Sequence, residues 1–281
     1  MKMKSFKGIK ISSILVSALI LIIAIFLLIP FIWMISISLR APAEAYRLPP
    51  SIFPDSFKFT SYIELFKSNI NVVALFKNSI ITTVVIVLAQ VINCPMAGYA
   101  FARLKFKGRK PLFYLLLVSL MIPIQVIIIP LYIVISKLHM LNNLLSVILP
   151  CCFSAFGVFL FRQSFMDIPK DFEHSARIDG AGYFWTYLSI MLPQVKTTII
   201  ALVIISFNFG WNLYFTPLIF LTKLDKMTLP IGLAFLKGYM SSGNVSVIMA
   251  SVSLAVIPIM LIFFYAQKYI VEGLTSSGIK G

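Results

Sequence analysis

Six long stretches of this chain contain no Asp, Glu, Lys or Arg: Ile11 to Leu39, Asn78 to Ala102, Pro111 to Ser136, Leu138 to Phe161, Thr197 to Thr222 and Gly238 to Gln267. Each has enough residues to cross about 30 Å of hydrocarbon, which takes about 20 in a helix. A seventh stretch, Gly180 to Val195, is shorter and interrupted by Pro193, which suits a connector with an interfacial part. At 60% apolar and 12% charged residues, a chain of 281 has more apolar surface than one soluble core can bury. The expected fold is an all-α integral membrane protein of six transmembrane helices. It forms a single domain over residues 1–281, with spans near 11–39, 78–102, 111–136, 138–161, 197–222 and 245–267.

The 24 Lys and Arg exceed the 9 Asp and Glu. Nucleic acid is excluded as the reason, because a basic binding patch clusters on a polar domain and the chain has none. The cations flank the apolar runs instead. Lys2, Lys4, Lys7 and Lys10 precede a run far longer than the apolar core of a cleaved signal, so an uncleaved first helix is expected. Lys and Arg in short loops resist translocation, which keeps that flank in the cytoplasm. Counting on from there, 15 of the 24 cations fall on the inner side, the densest group being Arg103, Lys105, Lys107, Arg109 and Lys110 in a very short loop. Both termini are expected in the cytoplasm.

Much familiar chemistry is missing. Cys94, Cys151 and Cys152 lie in apolar runs without metal-ligand spacing, and His139 and His174 form no HExxH pattern, so no metal site and no catalytic residue is expected. No GxSxG or GxxxxGKS segment occurs. The spans also lack the intramembrane charges that proton- or ion-coupled carriers use. If this protein moves a solute uphill, another subunit supplies the energy. Pro95, Pro123, Pro130 and Pro258 interrupt three spans, either as ordinary membrane-helix irregularities or as kinks that line a pathway. Arg40 to Lys77, rich in proline, is long enough to pack on the outer helix ends or to touch an external partner.

The inner segment between the fourth and fifth spans is the most structured. Pro169 and Asp171 suit a first helical turn and Gly180 a stop, predicting a short helix from about 169 to 178–180. The i, i+3, i+4, i+7 spacing puts Phe172, Ser175, Ala176 and Asp179 on one face. Such a face can meet another protein closely or lie on lipid headgroups.

His174-Ser175-Ala176 is followed after three residues by Gly180, and nine residues later by Ile190-Met191-Leu192-Pro193. This resembles the cytoplasmic motif of permease subunits in ABC importers: EAA, three residues, G, nine residues, I, one residue, LP. Ile168-Pro169, Asp171-Phe172, Ser175-Ala176 and Ile178-Asp179-Gly180-Ala181 are similar to the fuller form in maltose-type carbohydrate permeases. Asn78-Ser79, Met121-Ile122-Pro123, Pro130-Leu131-Tyr132, Trp211-Asn212 and the ending Glu272 to Gly281 extend the resemblance. The motif glutamate is replaced by His174. Glu173 beside it lies about 100° away around the helix and cannot simply substitute. The change is either a tolerated one at a rim or a pH-sensitive contact, since histidine titrates near neutrality.

The resemblance implies a permease subunit of a bacterial inner-membrane importer that carries a carbohydrate of the oligosaccharide class. It implies a second homologous permease subunit, two ATP-binding cassette subunits that hold ATP and Mg, and an extracytoplasmic sugar-binding protein, with no cofactor on this chain. The ATPase-coupling residues it implies are Asp171, Phe172, Glu173, His174, Ser175, Ala176, Arg177, Asp179 and Gly180. A tail containing Gly273, Leu274, Thr275 and Lys280 is similar to tails that reach between the cassettes; a frayed end is the alternative. Sugar recognition uses amides and aromatic faces, and the membrane-buried candidates are Asn93, Gln125, Asn208, Trp211, Asn212 and Tyr214. Asn208, Trp211 and Asn212 are expected on one face of the fifth span. Interhelical bonding or interfacial packing is the alternative for each. An importer for a polyol, glycerol phosphate or peptide is a rival, although a phosphate-bearing solute favours an Arg in the pathway. A membrane-embedded enzyme or scaffold is a more distant one.

Overall fold

The computed structural model describes residues 11–46, 53–55, 57–68, 70–239 and 244–277. Twelve helices organise it: α1 (Ile11–Ser38), α2 (Thr60–Lys67), α3 (Val72–Arg103), α4 (Arg109–Ser119), α5 (Ile124–Lys137), α6 (Leu145–Cys151), α7 (Ala155–Met166), α8 (Asp171–Ile178), α9 (Lys196–Trp211), α10 (Phe215–Phe220), α11 (Leu229–Tyr239) and α12 (Val245–Ser277). Shorter helical turns join some of them. Among the described residues, five segments are long and apolar enough to cross a membrane, or six if the bent pair α4 and α5 is one span.

The run from Pro111 to Ser136 is therefore not one straight helix. It is bent by 101° between α4 and α5. Pro123 explains the break: its neighbour Ile122 is pushed out of helical geometry, and Pro123 itself caps α5 in an extended conformation. The run from Leu138 likewise starts helix only at Leu145, after a loop in which His139 and Asn142 adopt positive φ. Pro95 and Pro258, by contrast, sit inside continuous helices.

Two compact units form. The first holds residues to Ser68 and Lys237–Leu254. Side chains of α1 are exposed from residue 15 to 32, so this helix offers its apolar surface on all sides. Its end is fastened. Arg40, buried to 2% exposure, donates to the Ser36 hydroxyl at 2.9 Å, and its backbone carbonyl accepts from Ser61 of α2. Thus part of the proline-rich segment folds back onto the end of α1, as Lys58 N–H to Leu39 carbonyl also shows.

The second unit, Asn69–Leu236 with Ala255–Gly281, is built on α3, which packs along both α7 and α9. Small residues allow the close approach. A Cβ on Gly98 would stand 2.5 Å from Phe161 Cβ of α7, and one on Gly210 of α9 would stand 3.2 Å from Thr83 Cα. Buried Gln90 of α3 donates to the Cys151 carbonyl at 2.7 Å and accepts from Ser206 of α9 at 2.6 Å. Asn78 donates to the carbonyls of Asp225 and Met227, while Ser79 Oγ accepts from Leu229 N–H. These two residues clamp the loop before α11, which gives Asn78-Ser79 a structural purpose.

Candidate functional site

Helix α8 begins two residues later than the sequence suggests, leaving Pro169 outside it. Asp171 and Glu173 sit in its first turn, where acidic groups favour the positive end of the helix dipole. It ends in a double hydrogen bond: Ala181 N–H to Ala176 carbonyl at 2.9 Å, and Gly180 N–H to Arg177 carbonyl at 3.0 Å. This is the Schellman closure, which needs a left-handed residue, and Gly180 supplies it at φ 79°.

The helix presents a different face from the one its spacing suggests. Ala176 is buried at 2% exposure together with Glu173, one turn before it, so these two point into the protein. Phe172, His174, Ser175, Ile178 and Asp179 are exposed, Ile178 at 86%. The expected grouping of Ala176 with Phe172, Ser175 and Asp179 is corrected accordingly: Ala176 is small because it lies against the body of the protein.

Glu173 Oε2 lies 3.7 Å from Arg103 Nη1 at the end of α3. Arg103 also donates through Nη2 to the carbonyls of Phe165 and Ile168, just before α8. One guanidinium therefore joins the end of α3, the end of α7 and the inner side of α8. Tyr99, Glu173 and Arg177 line a hollow of about 160 Å³ with Tyr183 and Thr186. Across it the Arg177 guanidinium stacks over Tyr183, 4.8 Å from the ring centre.

Beyond Gly182 the chain is helical but irregular, with a π-turn at Tyr187–Met191. Tyr187 and Met191 enter an apolar core with Tyr99, Phe161 and Phe165. Tyr183, Phe184 and Trp185 of this stretch are exposed. The segment carrying the motif is thus fastened at both ends to α3 and α7.

The chain matches the family described as binding-protein-dependent transport system inner membrane component over residues 95–276. It belongs to that family. The arabinooligosaccharides transport system permease protein AraQ of Halalkalibacterium halodurans is 34% identical over 267 residues, covering 94% of each chain. The sn-glycerol-3-phosphate transport system permease protein UgpE of Brucella abortus is 31% identical, covering 94% of this chain and 96% of its own. A crystal structure of a bacterial ABC transporter involved in the import of the acidic polysaccharide alginate contains a chain of the same fold. Its TM-score is 0.80 at 21% identity, covering 96% of this chain and 99% of that one. A second alginate transporter structure, in complex with an alginate pentasaccharide-bound periplasmic protein, matches at TM-score 0.64 and 18% identity, covering 93% and 95%. The chain is therefore a multi-pass membrane permease component and not an enzyme.

The six candidate pathway residues of this family member separate into two groups. Trp211 is buried at 3% exposure, stacks on Phe207 with ring centres 5.7 Å apart, and donates its indole N–H to the Ala255 carbonyl of α12. It does not share the open face of Asn208 and Asn212. Those two are exposed, and Asn212 Nδ2 donates to the Asn208 carbonyl and Oδ1 at 2.9 and 3.0 Å. Asn93, Gln125 and Tyr214 are exposed as well, Asn93 bonding the Cys152 carbonyl at 3.5 Å. Gly273, Leu274 and Thr275 fall in the last part of α12, where side chains lie outside the described residues; Lys280 lies outside them altogether.

Sequence reasoning missed Arg103. Its only signal was membership of a basic loop, where five cations look interchangeable.

Proposed function

We propose that this chain is one permease half of an ATP-driven, binding-protein-dependent carbohydrate importer in a bacterial inner membrane, with both termini cytoplasmic. Helix α8 is its coupling helix. The observation that carries this is the division of α8 into an inner side, Glu173 and Ala176, fixed to the body, and an outer side, Phe172, Ser175 and Ile178, left open. Two ATP-binding cassette subunits supply the nucleotide site and hydrolyse ATP with Mg; this chain supplies the surface against which one of them pushes. Because Arg103 ties α8 to α3 and α7, a displacement of the cassette moves the helix and the spans together instead of bending a loop. A second permease subunit completes the pathway, and a sugar-binding protein delivers the solute; the family description and the alginate complex with its periplasmic protein support the latter.

Asn93, Asn208 and Asn212 are exposed on spans, where lipid would penalise the amide atoms that their hydrogen bonds to Cys152 and to each other leave open. We assign them to the water-filled pathway or its border with the second permease subunit. A carbohydrate fits this surface better than glycerol phosphate. AraQ favours the first and UgpE the second, but no Lys or Arg lies in the six apolar runs to meet a phosphate. ATP-dependent uptake by vesicles holding all subunits and the binding protein, with an arabino-oligosaccharide and glycerol 3-phosphate as competing solutes, tests both statements. Uptake of the oligosaccharide alone is expected.

A further inference from the structure

A second charged site adjoins the basic loop. Arg109 and Lys110 at the start of α4 and Arg162 near the end of α7 converge on a hollow of about 270 Å³, walled by Phe101, Phe113 and Tyr114. An adjoining hollow of about 440 Å³ shares Arg109 and Lys110 and adds Lys105. No carboxylate lines either one. Among the described residues, the ion pairs of the chain involve none of these four cations.

The cations are held in place. The Arg162 guanidinium lies over the Phe113 ring at 4.2 Å, and Arg109 Nη1 donates to the Leu104 carbonyl at 3.0 Å. Phe113 is itself packed against Phe101, ring centres 5.5 Å apart. The guanidiniums are thus positioned before any ligand arrives, and each keeps further N–H donors available for an anion. Unpaired positive charge in a cleft with aromatic walls favours an anionic partner.

The surroundings name its class. Leu112, Tyr114, Leu115 and Val118 of α4 are exposed and form an apolar surface that continues from the hollow along the span. Cations at the end of a span beside such a surface meet the phosphate plane of a bilayer, and basic pockets between membrane helices on the cytoplasmic side take lipid headgroups. We infer that Arg109, Lys110 and Arg162 form a binding site for the phosphate of an anionic phospholipid, whose acyl chains lie along α4. The site adjoins the Arg103 to Lys110 loop, so an occupied headgroup also neutralises the cations next to the anchor of α8.

The test is lipid retention by the complete transporter, taken from bilayers of mixed phosphatidylglycerol and phosphatidylcholine with the same acyl chains and weighed by native mass spectrometry. Phosphatidylglycerol should be retained in preference. Lys110→Gln and Arg162→Gln should each reduce its retention about fivefold, as expected for one cation at a membrane surface, while Lys137→Gln leaves it unchanged. Lys110 is exposed, so its variant carries the test even if the Arg162 variant fails to insert. Equal retention of the two lipids overturns the assignment, and so does full phosphatidylglycerol retention by Lys110→Gln. Displacement of the lipid by millimolar inorganic phosphate would make the ligand a free anion. A cross-link from Lys110 to an acidic side chain of another subunit, with no lipid retained, would make it a protein contact.

Discussion

Arg103 Nη1 stands 3.7 Å from Glu173 Oε2, and the two side chains keep only 5% and 11% of their exposure. Breaking such a buried pair from one side strands the other charge, at a cost of about 3–5 kcal/mol. Glu173→Ala and Arg103→Ala should therefore both loosen α8 and lower uptake more than tenfold, with the Arg103 change worse because it also frees the Phe165 and Ile168 carbonyls. Limited proteolysis in the 167–182 segment checks this: faster cleavage is expected in both variants.

Gly180 has open space around its missing Cβ, so its value lies in φ 79° alone. An L-residue held there costs about 1–2 kcal/mol. Gly180→Asn, which tolerates left-handed geometry, should retain most uptake, whereas Gly180→Val should lose it with insertion intact. Uptake rates normalised to membrane protein level distinguish the two.

Gly98 obeys the opposite logic. A Cβ there meets Phe161 Cβ at 2.5 Å and the Arg162 backbone at 3.0 Å, so even Gly98→Ala must separate α3 from α7. Lower thermal stability of the purified complex is expected, by several degrees, and Gly98→Val should not accumulate at all.

Trp211 and Asn208 are neighbours on α9 with different duties. Trp211→Phe removes the hydrogen bond to Ala255 and should destabilise the chain by about 1 kcal/mol with the solute affinity unchanged. Asn208→Ala should leave stability alone and raise the solute concentration needed for half-maximal uptake. Melting curves and uptake kinetics measured side by side separate these effects.

The apolar runs and the motif spacing were legible because lipid penalises charge and because Gly180 and Pro193 mark backbone events at fixed distances. The bend after Ser119 was not, since Pro123 in an uncharged run is compatible with both a kinked and a broken helix. The inward turn of Ala176 was hidden for another reason. Helical spacing fixes which residues share a face but not which face meets the protein; that was decided by Arg103, more than 60 positions away in the chain, drawing Glu173 inward. Trp211 was misassigned to the open face because Asn208, Trp211 and Asn212 lie within one turn, and only the packing of Phe207 and Ala255 shows where that turn divides.

The most direct test of the coupling role is cross-linking. In a background with Cys94, Cys151 and Cys152 replaced by Ser, single cysteines at 172, 175, 176 and 178 are exposed to a short bifunctional reagent in the assembled transporter, with and without ATP. Cross-links from positions 172, 175 and 178 to the ATP-binding subunit, with little from 176, are predicted. Equal or stronger cross-linking from 176 would contradict the account.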